Sequence, residues 1–285
     1  KDKQMPTKRY FNWKLAAVLL IGLFVLGITA YGLRQWQRTR RANQGLILGT
    51  KAYNQQKWEE AVRYLGRYIA IARNDVEALL KYADAHLKIR PLKRSNVQQA
   101  IAAYRTILRI DKENHQAAKQ LTEIYLDMGL PGEAELIARR QLEIHPDSEL
   151  ARLRAIALAR QRKFDQAKDQ LIAIIQKFPA DCPKAKTQQI LAYEILAQIN
   201  EQHPESFSKR PIDWLNEAIK SHPTSALAYI IRASFYLRNK DRTKALADLE
   251  KAQKQDLSDP TVRLRLAKQL ISVNLLDEAE KQLAA

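Results

Sequence analysis

The residues that chemistry would use are few and scattered. Three His–Pro pairs stand out, His145–Pro146, His203–Pro204 and His222–Pro223, and the other two of the five histidines, His86 and His115, lie apart from them. Imidazole metal sites need clustered ligands with second-shell partners, so these five read as packing or surface residues. The single cysteine, Cys182, excludes an internal disulfide framework and a cysteine-based zinc site. There is no G-x-x-x-x-G-K phosphate loop, no H-E-x-x-H helix and no G-x-S-x-G elbow. Pro146 and Pro223 stand where a proline would stop a helix. Acidic residues mostly have a Lys or Arg at helical spacing, as in "KWEEAVR", which is the pattern of a solvated helix face. The sequence therefore points to no catalytic residue, no cofactor and no metal, and to no enzyme within this chain.

Stepping from side chains to elements, the 285 residues include only 8 Gly and 10 Pro, which favours long helices over a turn-rich β fold. Leu15–Leu33 is nineteen residues without a charge, about 28 Å as a helix and close to the bilayer hydrocarbon thickness. Aromatics flank it, Tyr10, Phe11 and Trp13 before, Tyr31 and Trp36 near its end, as interface anchors do. Basic residues flank it too: Lys8, Arg9 and Lys14, then Arg34, Arg38, Arg40 and Arg41. The run is longer than a signal-peptide core, and Ile28 is bulky where a cleavage site wants a small residue. The expectation is a basic tail over 1–14, a single transmembrane helix over 15–33 and a basic juxtamembrane segment over 34–41 that meets anionic lipid headgroups. Gly22, Gly27 and Gly32 are spaced by five and make no GxxxG dimer face. Five Lys or Arg near each end leave the orientation undecided.

From Ala42 on, a grid recurs. "NQQKWEEAVRYLGRYIAI" carries Trp58, Ala61 and Leu65, and "LTEIYLDMGLPGEAELIARRQLEIHP" carries Leu121, Tyr125, Gly129, Ala134, Ala138, Leu142 and Pro146. A small residue of a second helix returns at Ala61, Ala100, Ala134, Ala167, Ala245 and Ala279, with steps of 34 residues from Ala100 to Ala134 and from Ala245 to Ala279. Its counterpart on a first helix is Gly49, Ala83, Ala155, Ala233 or Ala267. Small residues let paired helices approach, and larger apolar residues around them fill the space against the next pair. No pair buries its own face, so neighbours must stack. The period and residue types resemble the tetratricopeptide repeat, a helix–turn–helix unit of about 34 residues. The resemblance covers 42–285 and implies an all-α chain: the membrane helix followed by an α-solenoid of about seven such units, the last incomplete. Two units depart from the grid. The second has extra residues at Lys88–Asn96, and the fifth has "NEQHPESFSKR" between its helices with Pro211 at the small position. Pro211 fits a helix start, and the insertions are expected to project as loops. Arg154 and Arg232 replace large apolar residues, so their stems should pack while their heads reach solvent.

What the resemblance implies functionally is a concave groove, lined by the first helix of each unit, that holds proteins or peptides. In this register the groove face carries Leu46, Thr50 and Tyr53, then Leu80, Asp84 and Leu87, then Lys119, Glu123 and Leu126. Arg152, Ile156 and Arg160 follow, then Ile230, Ser234 and Leu237. The mixture of apolar and oppositely charged groups suits a mixed peptide. The family's carboxylate clamp uses Lys and Asn at groove positions where this chain has Leu46 and Thr50, so that ligand is not expected. The formal charge is +17, of which residues 1–41 hold +8 (nine basic, one acidic), leaving +9 over the repeats. No interleaving of aromatics with basic residues supports nucleic acid as the partner.

The layout reads as a membrane-anchored scaffold that collects partner proteins, similar at the level of fold to bacterial envelope assembly factors. The alternative is the targeting arm of a larger enzyme whose catalytic domain lies beyond Ala285. The chain begins with Lys1 and stops inside a pattern, which suits a fragment. Self-association is a third reading, to be seen as a concentration-dependent mass.

Overall fold

The computed structural model describes residues 13–177 and 183–284, without the side chains of 13–21, 25, 30, 38 and 183. The expected basic tail through Arg9, with Tyr10 and Phe11, and the turn holding Pro179 and Cys182 lie outside the described residues. Every regular element among the described residues is helical. The chain divides between Asp111 and Lys112 into two compact units, a boundary that the even spacing of the repeat does not announce.

The first unit holds α1 (Trp13–Asn54), α2 (Trp58–Ile69), α3 (Val76–Lys88) and α4 (Arg94–Ile110). The second holds α5 (His115–Asp127) and α6 (Pro131–Ile144), α7 (Ser148–Arg160) and α8 (Phe164–Lys177), α9 (Pro183–Gln202) and α10 (Pro211–Ser221). It ends with α11 (Ala226–Arg238) and α12 (Arg242–Gln253), then α13 (Pro260–Ser272) and α14 (Leu276–Ala284). Consecutive helices pair as hairpins, two in the first unit and five in the second.

The grid of small residues is the seam of each hairpin. Ala61, Ala83, Ala100, Ala134, Ala155, Ala167, Ala192, Ala233, Ala245 and Ala267 have no exposed surface. At Gly49 the approach is closest: a Cβ there would lie 2.7 Å from the Leu65 Cγ and 3.0 Å from the Leu65 backbone nitrogen. Larger side chains fill the remaining space, Leu65, Ile107, Leu121, Leu150, Leu158, Leu171, Ile174, Leu196 and Leu249 among them, each contributing roughly 1.5–3 kcal/mol on burial.

The turns obey a rule of their own. The second residue after Asn54, Asp127, Arg160, Arg238 and Ser272, each the last residue of a first helix, has positive φ: Gln56, Gly129, Arg162, Lys240 and Asn274, at 58°, 71°, 60°, 62° and 64°. This left-handed residue reverses the chain, and only Gly129 adopts it without a Cβ penalty. The two hairpins that lack it, α3/α4 and α9/α10, are the two with inserted residues. First helices start on side-chain caps: Asp75, Asn114 and Asp147 accept from the backbone N–H three residues on, and Asp259 from the N–H of Thr261. Pro131, Pro211 and Pro260 open α6, α10 and α13, where a missing N–H costs nothing.

Three expectations are corrected. The insertion before Pro211 does not project freely. Asn200 is buried and donates to the Lys209 carbonyl at 2.6 Å, Lys168 donates to that of Ser206 at 3.0 Å, and Phe207 packs on the core. The heads of Arg154 and Arg232, with side chains 25% and 17% exposed, are held by partners rather than left free in solvent. Arg232 is bidentate to the Asp248 carboxylate at 2.7 and 2.8 Å, with side chains 17% and 4% exposed, and it also donates to Asn216. Arg154 donates to Glu135 at 3.1 Å and to Gln170 at 3.2 Å. A guanidinium entering a helix seam has lost water, so it takes a fixed carboxylate or amide instead. The expected separate membrane helix is, in backbone, the first part of α1, which runs 42 residues without a break into the first hairpin. Between residues 22 and 37 every described side chain of α1 is exposed. The side chains of 13–21 lie outside the described residues, and among those that are described no helix is long and apolar enough to cross a membrane.

Replacing Gly49 by Ala gains helix propensity but drives a methyl into Leu65, so the net effect is a loss of about 1–2 kcal/mol and a lower melting temperature. Gly132→Ala, with nothing within 4 Å, leaves the melting temperature unchanged or raises it. Thermal circular dichroism of the two variants reads the difference.

Candidate partner groove

In the second unit, first helices of successive hairpins touch one another, α5 with α7, α7 with α9, α9 with α11 and α11 with α13. Second helices pack chiefly against first helices. First helices therefore line the inner face, where the repeat register places the groove. Charges along it are paired across helices. Lys119 on α5 meets Glu149 on α7 at 2.7 Å, and the Arg152 Nε donates to the Gln188 Oε1 on α9 at 2.6 Å. Arg265 on α13 reaches Glu194 on α9 at 3.2 Å, across the intervening hairpin, and Arg238 on α11 meets Glu201 at 3.0 Å. Arg160 donates to the Leu126 backbone carbonyl.

This crowding moves protonation equilibria. Burial raises the pKa of Glu123 above the usual carboxylate range; Lys119 and Arg152 pull it down, while Glu149 and Asp127 push it up. Burial lowers the pKa of the Arg152 guanidinium, with Glu149, Glu123 and Glu194 opposing and Arg265 adding to the effect.

The register brings Ile156 and Arg160 to one recess of about 370 Å³. Its other walls are Ala159, Phe164, Ile195 and Ile199, with the amides of Gln198 and Gln202. Phe164 stacks on the His203 ring at 3.7 Å between centroids, which fixes one side. The apolar floor suits a bulky side chain, and the guanidinium and amides suit the polar backbone beside it. Gln188 and the α9 wall escaped sequence reasoning because the irregular α9 hairpin obscures its register. A longer first helix, 20 residues against 13 in its neighbours, is the signal that could have found it.

Other expected groove residues fare differently. Leu126 and Ile230 are 4% and 1% exposed, so they belong to the core. The Ser234 hydroxyl donates to the Ile230 carbonyl of its own helix at 2.9 Å, and Leu237 is half-buried. In the first unit the Tyr53 hydroxyl donates to Asp84 at 2.5 Å, which raises the tyrosine pKa to about 12, chiefly by burial and then by that hydrogen bond. Lys88 joins Asp84 at 2.7 Å and lies over the Trp58 ring at 4.8 Å. Leu46 and Thr50 line a shallow recess on α1, and Leu80 and Leu87 are half-buried. Among the described residues no cluster of three or more His, Cys, Asp or Glu could hold a metal ion.

Profiles of the tetratricopeptide repeat match residues 48–115 and 92–157. Residues 48–157 are therefore similar to the tetratricopeptide repeat. No curated protein matches it. Among solved structures, a tetratricopeptide repeat protein from Parabacteroides merdae is 14% identical over 86% of this chain and 93% of that one, with a TM-score of 0.57. MamA from Desulfovibrio magneticus is 14% identical over 75% and 94%, with a TM-score of 0.45. The Pseudomonas aeruginosa protein pilF is 14% identical over 76% and 93%, with a TM-score of 0.47. At this identity the likeness to the first is one of fold. The stacked helix hairpins of this chain share that fold.

The raised pKa of Glu123 means that the folded chain holds this proton more tightly than the unfolded chain. The protonated group's contribution to stability is complete below the unfolded value of about 4.3 and is lost as pH rises through the folded pKa. Glu123→Gln mimics the protonated form, so the variant should melt above the parent chain at pH 7, with the gap closing below about pH 4. Melting temperatures at the two pH values check the sign.

Proposed function

We propose that this chain is a membrane-tethered scaffold that holds partner proteins or peptides along the inner face of residues 112–285 and carries out no catalytic step itself. The observation that carries this reading is the recess of Ile156 and Arg160 set within cross-helix ion pairs. An apolar seat beside fixed charges is what a peptide of mixed chemistry needs.

The tether is residues 15–33. Nineteen uncharged residues suffice to span a bilayer. Leu23, Phe24 and Tyr31 are 66%, 70% and 72% exposed among the described residues. Lipid would cover such a surface. Arg34, Arg38, Arg40 and Arg41 follow at the height of the headgroups, where anionic lipid attracts them. A helix that continues unbroken from the tether into the first hairpin would hold the repeats near the bilayer.

The test uses the full chain in its native membranes, crosslinked and isolated, with captured proteins identified by mass. Reversing Lys119, Glu123 and Arg152 together should deplete at least one captured protein by roughly tenfold, given about 1.5–3 kcal/mol for hydrogen bonds to charged groups. Reversing the exposed Glu250–Lys254 pair on α12 should leave the set intact. An unchanged set after the groove reversal contradicts the assignment. Alkaline carbonate should leave the parent chain with the membrane and release a chain lacking 15–33.

A further inference from the structure

The first hairpin holds a second recess, at the end of α2 that lies beside Arg41. It measures about 270 Å³ and is lined by Arg41, Gln44, Gly45, Leu48, Tyr64 and Arg67, among others. Gly45 is what opens it: a Cβ there would sit 3.0 Å from the Tyr64 carbonyl oxygen. Arg63 and Arg67 flank the Tyr64 ring, with guanidinium carbons 5.0 and 6.0 Å from its centroid.

We propose that this recess binds the phosphate of an anionic lipid headgroup; the proposal rests on the reading of residues 15–33 as the tether. Three observations support it. The first is charge without compensation. Arg154, Arg232, Arg238 and Arg265 each have a carboxylate partner. Arg41, Arg63 and Arg67 have none among the described residues. Glu59 and Glu60 stand at the opposite end of α2, about 10 Å or more along the axis from Arg67. Asp75 is taken by the Tyr68 hydroxyl at 2.7 Å and by the Ala78 N–H at 3.0 Å.

The second is height. Arg41 is eight residues past Leu33, about 12 Å along α1. The polar layer of a bilayer adds roughly 5–7 Å outside each face of its hydrocarbon. Helical side chains lean toward the helix N-terminus, which here is toward the bilayer, so a long arginine on α1 covers the difference. Arg40 over the Trp36 ring at 5.3 Å marks the same interface one turn earlier.

The third is donor chemistry. Two guanidinium groups, the Gln44 amide and the Tyr64 hydroxyl form a donor set for phosphate oxygens, and arginine offers paired N–H groups that match them. The recess is too small for a whole lipid and has the scale of a headgroup. Its contiguity with the apolar part of α1 favours lipid over nucleic acid as the source of that phosphate.

The full chain is placed in nanodiscs of phosphatidylcholine with phosphatidylglycerol, washed with alkaline carbonate and released into a native mass spectrometer. The parent chain should retain phosphatidylglycerol over phosphatidylcholine. The double variant Arg41→Gln, Arg67→Gln should lose that retention on the order of tenfold. Arg139→Gln with Arg140→Gln, an equal loss of exposed charge on α6, should keep it. Equal retention by the first variant and the parent overturns the proposal, with the chain still embedded and the tether intact. Full displacement by inorganic phosphate or by single-stranded RNA overturns it in favour of that ligand. Loss of the chain from the carbonate-washed bilayer overturns the tether and the proposal together.

Discussion

Close approach of two helices at a residue with almost no side chain is the constraint on which the rest of this structure depends. Ala61, Ala134, Ala167 and Ala245 have no exposed surface, and Gly49 lies so near Leu65 that a single methyl group does not fit. Because each seam is tight, each hairpin is thin and shows an apolar flank that must meet another hairpin. Stacking follows, and with it an inner face made of first helices. The groove is therefore a consequence of where alanine and glycine fall in the sequence, and its chemistry is carried by side chains two or three positions away.

Polar groups enter these seams only with partners. Arg232 with Asp248 and Asn216, and Arg154 with Glu135 and Gln170, repeat one solution 78 positions apart, with Gln170 and Asp248 in the same relation. A charge that leaves water keeps a bonded acceptor or is expelled. The inner face uses the same device more loosely. Lys119 with Glu149 and Arg152 with Gln188 tie neighbouring first helices, Arg265 reaches Glu194 across a hairpin, and of these six only Gln188 is buried. Such pairs brace the stack of first helices.

Much of this was legible in the residues. The positions of the alanines and the proline opening α10 act through their nearest neighbours in the chain, so spacing alone reveals them. What escaped depends on contacts between distant segments. Leu126 and Ile230 fall on a groove position by register yet are buried. The heads of Arg154 and Arg232 were expected in water, and carboxylates 19 and 16 positions away hold them inside. The left-handed turn residue was hidden because Gln56, Arg162, Lys240 and Asn274 take a conformation usually marked by glycine. The division after Asp111 has no signature in composition at all.

The most direct measurement is site-specific photocrosslinking of the full chain in its native membranes. A photoreactive residue at Ile156 stands in the recess of the inner face, and one at Lys251 stands on an exposed position of α12. A discrete protein or peptide adduct is expected from Ile156 and none from Lys251. Equal labelling from both sites, or adducts from Lys251 alone, would contradict it.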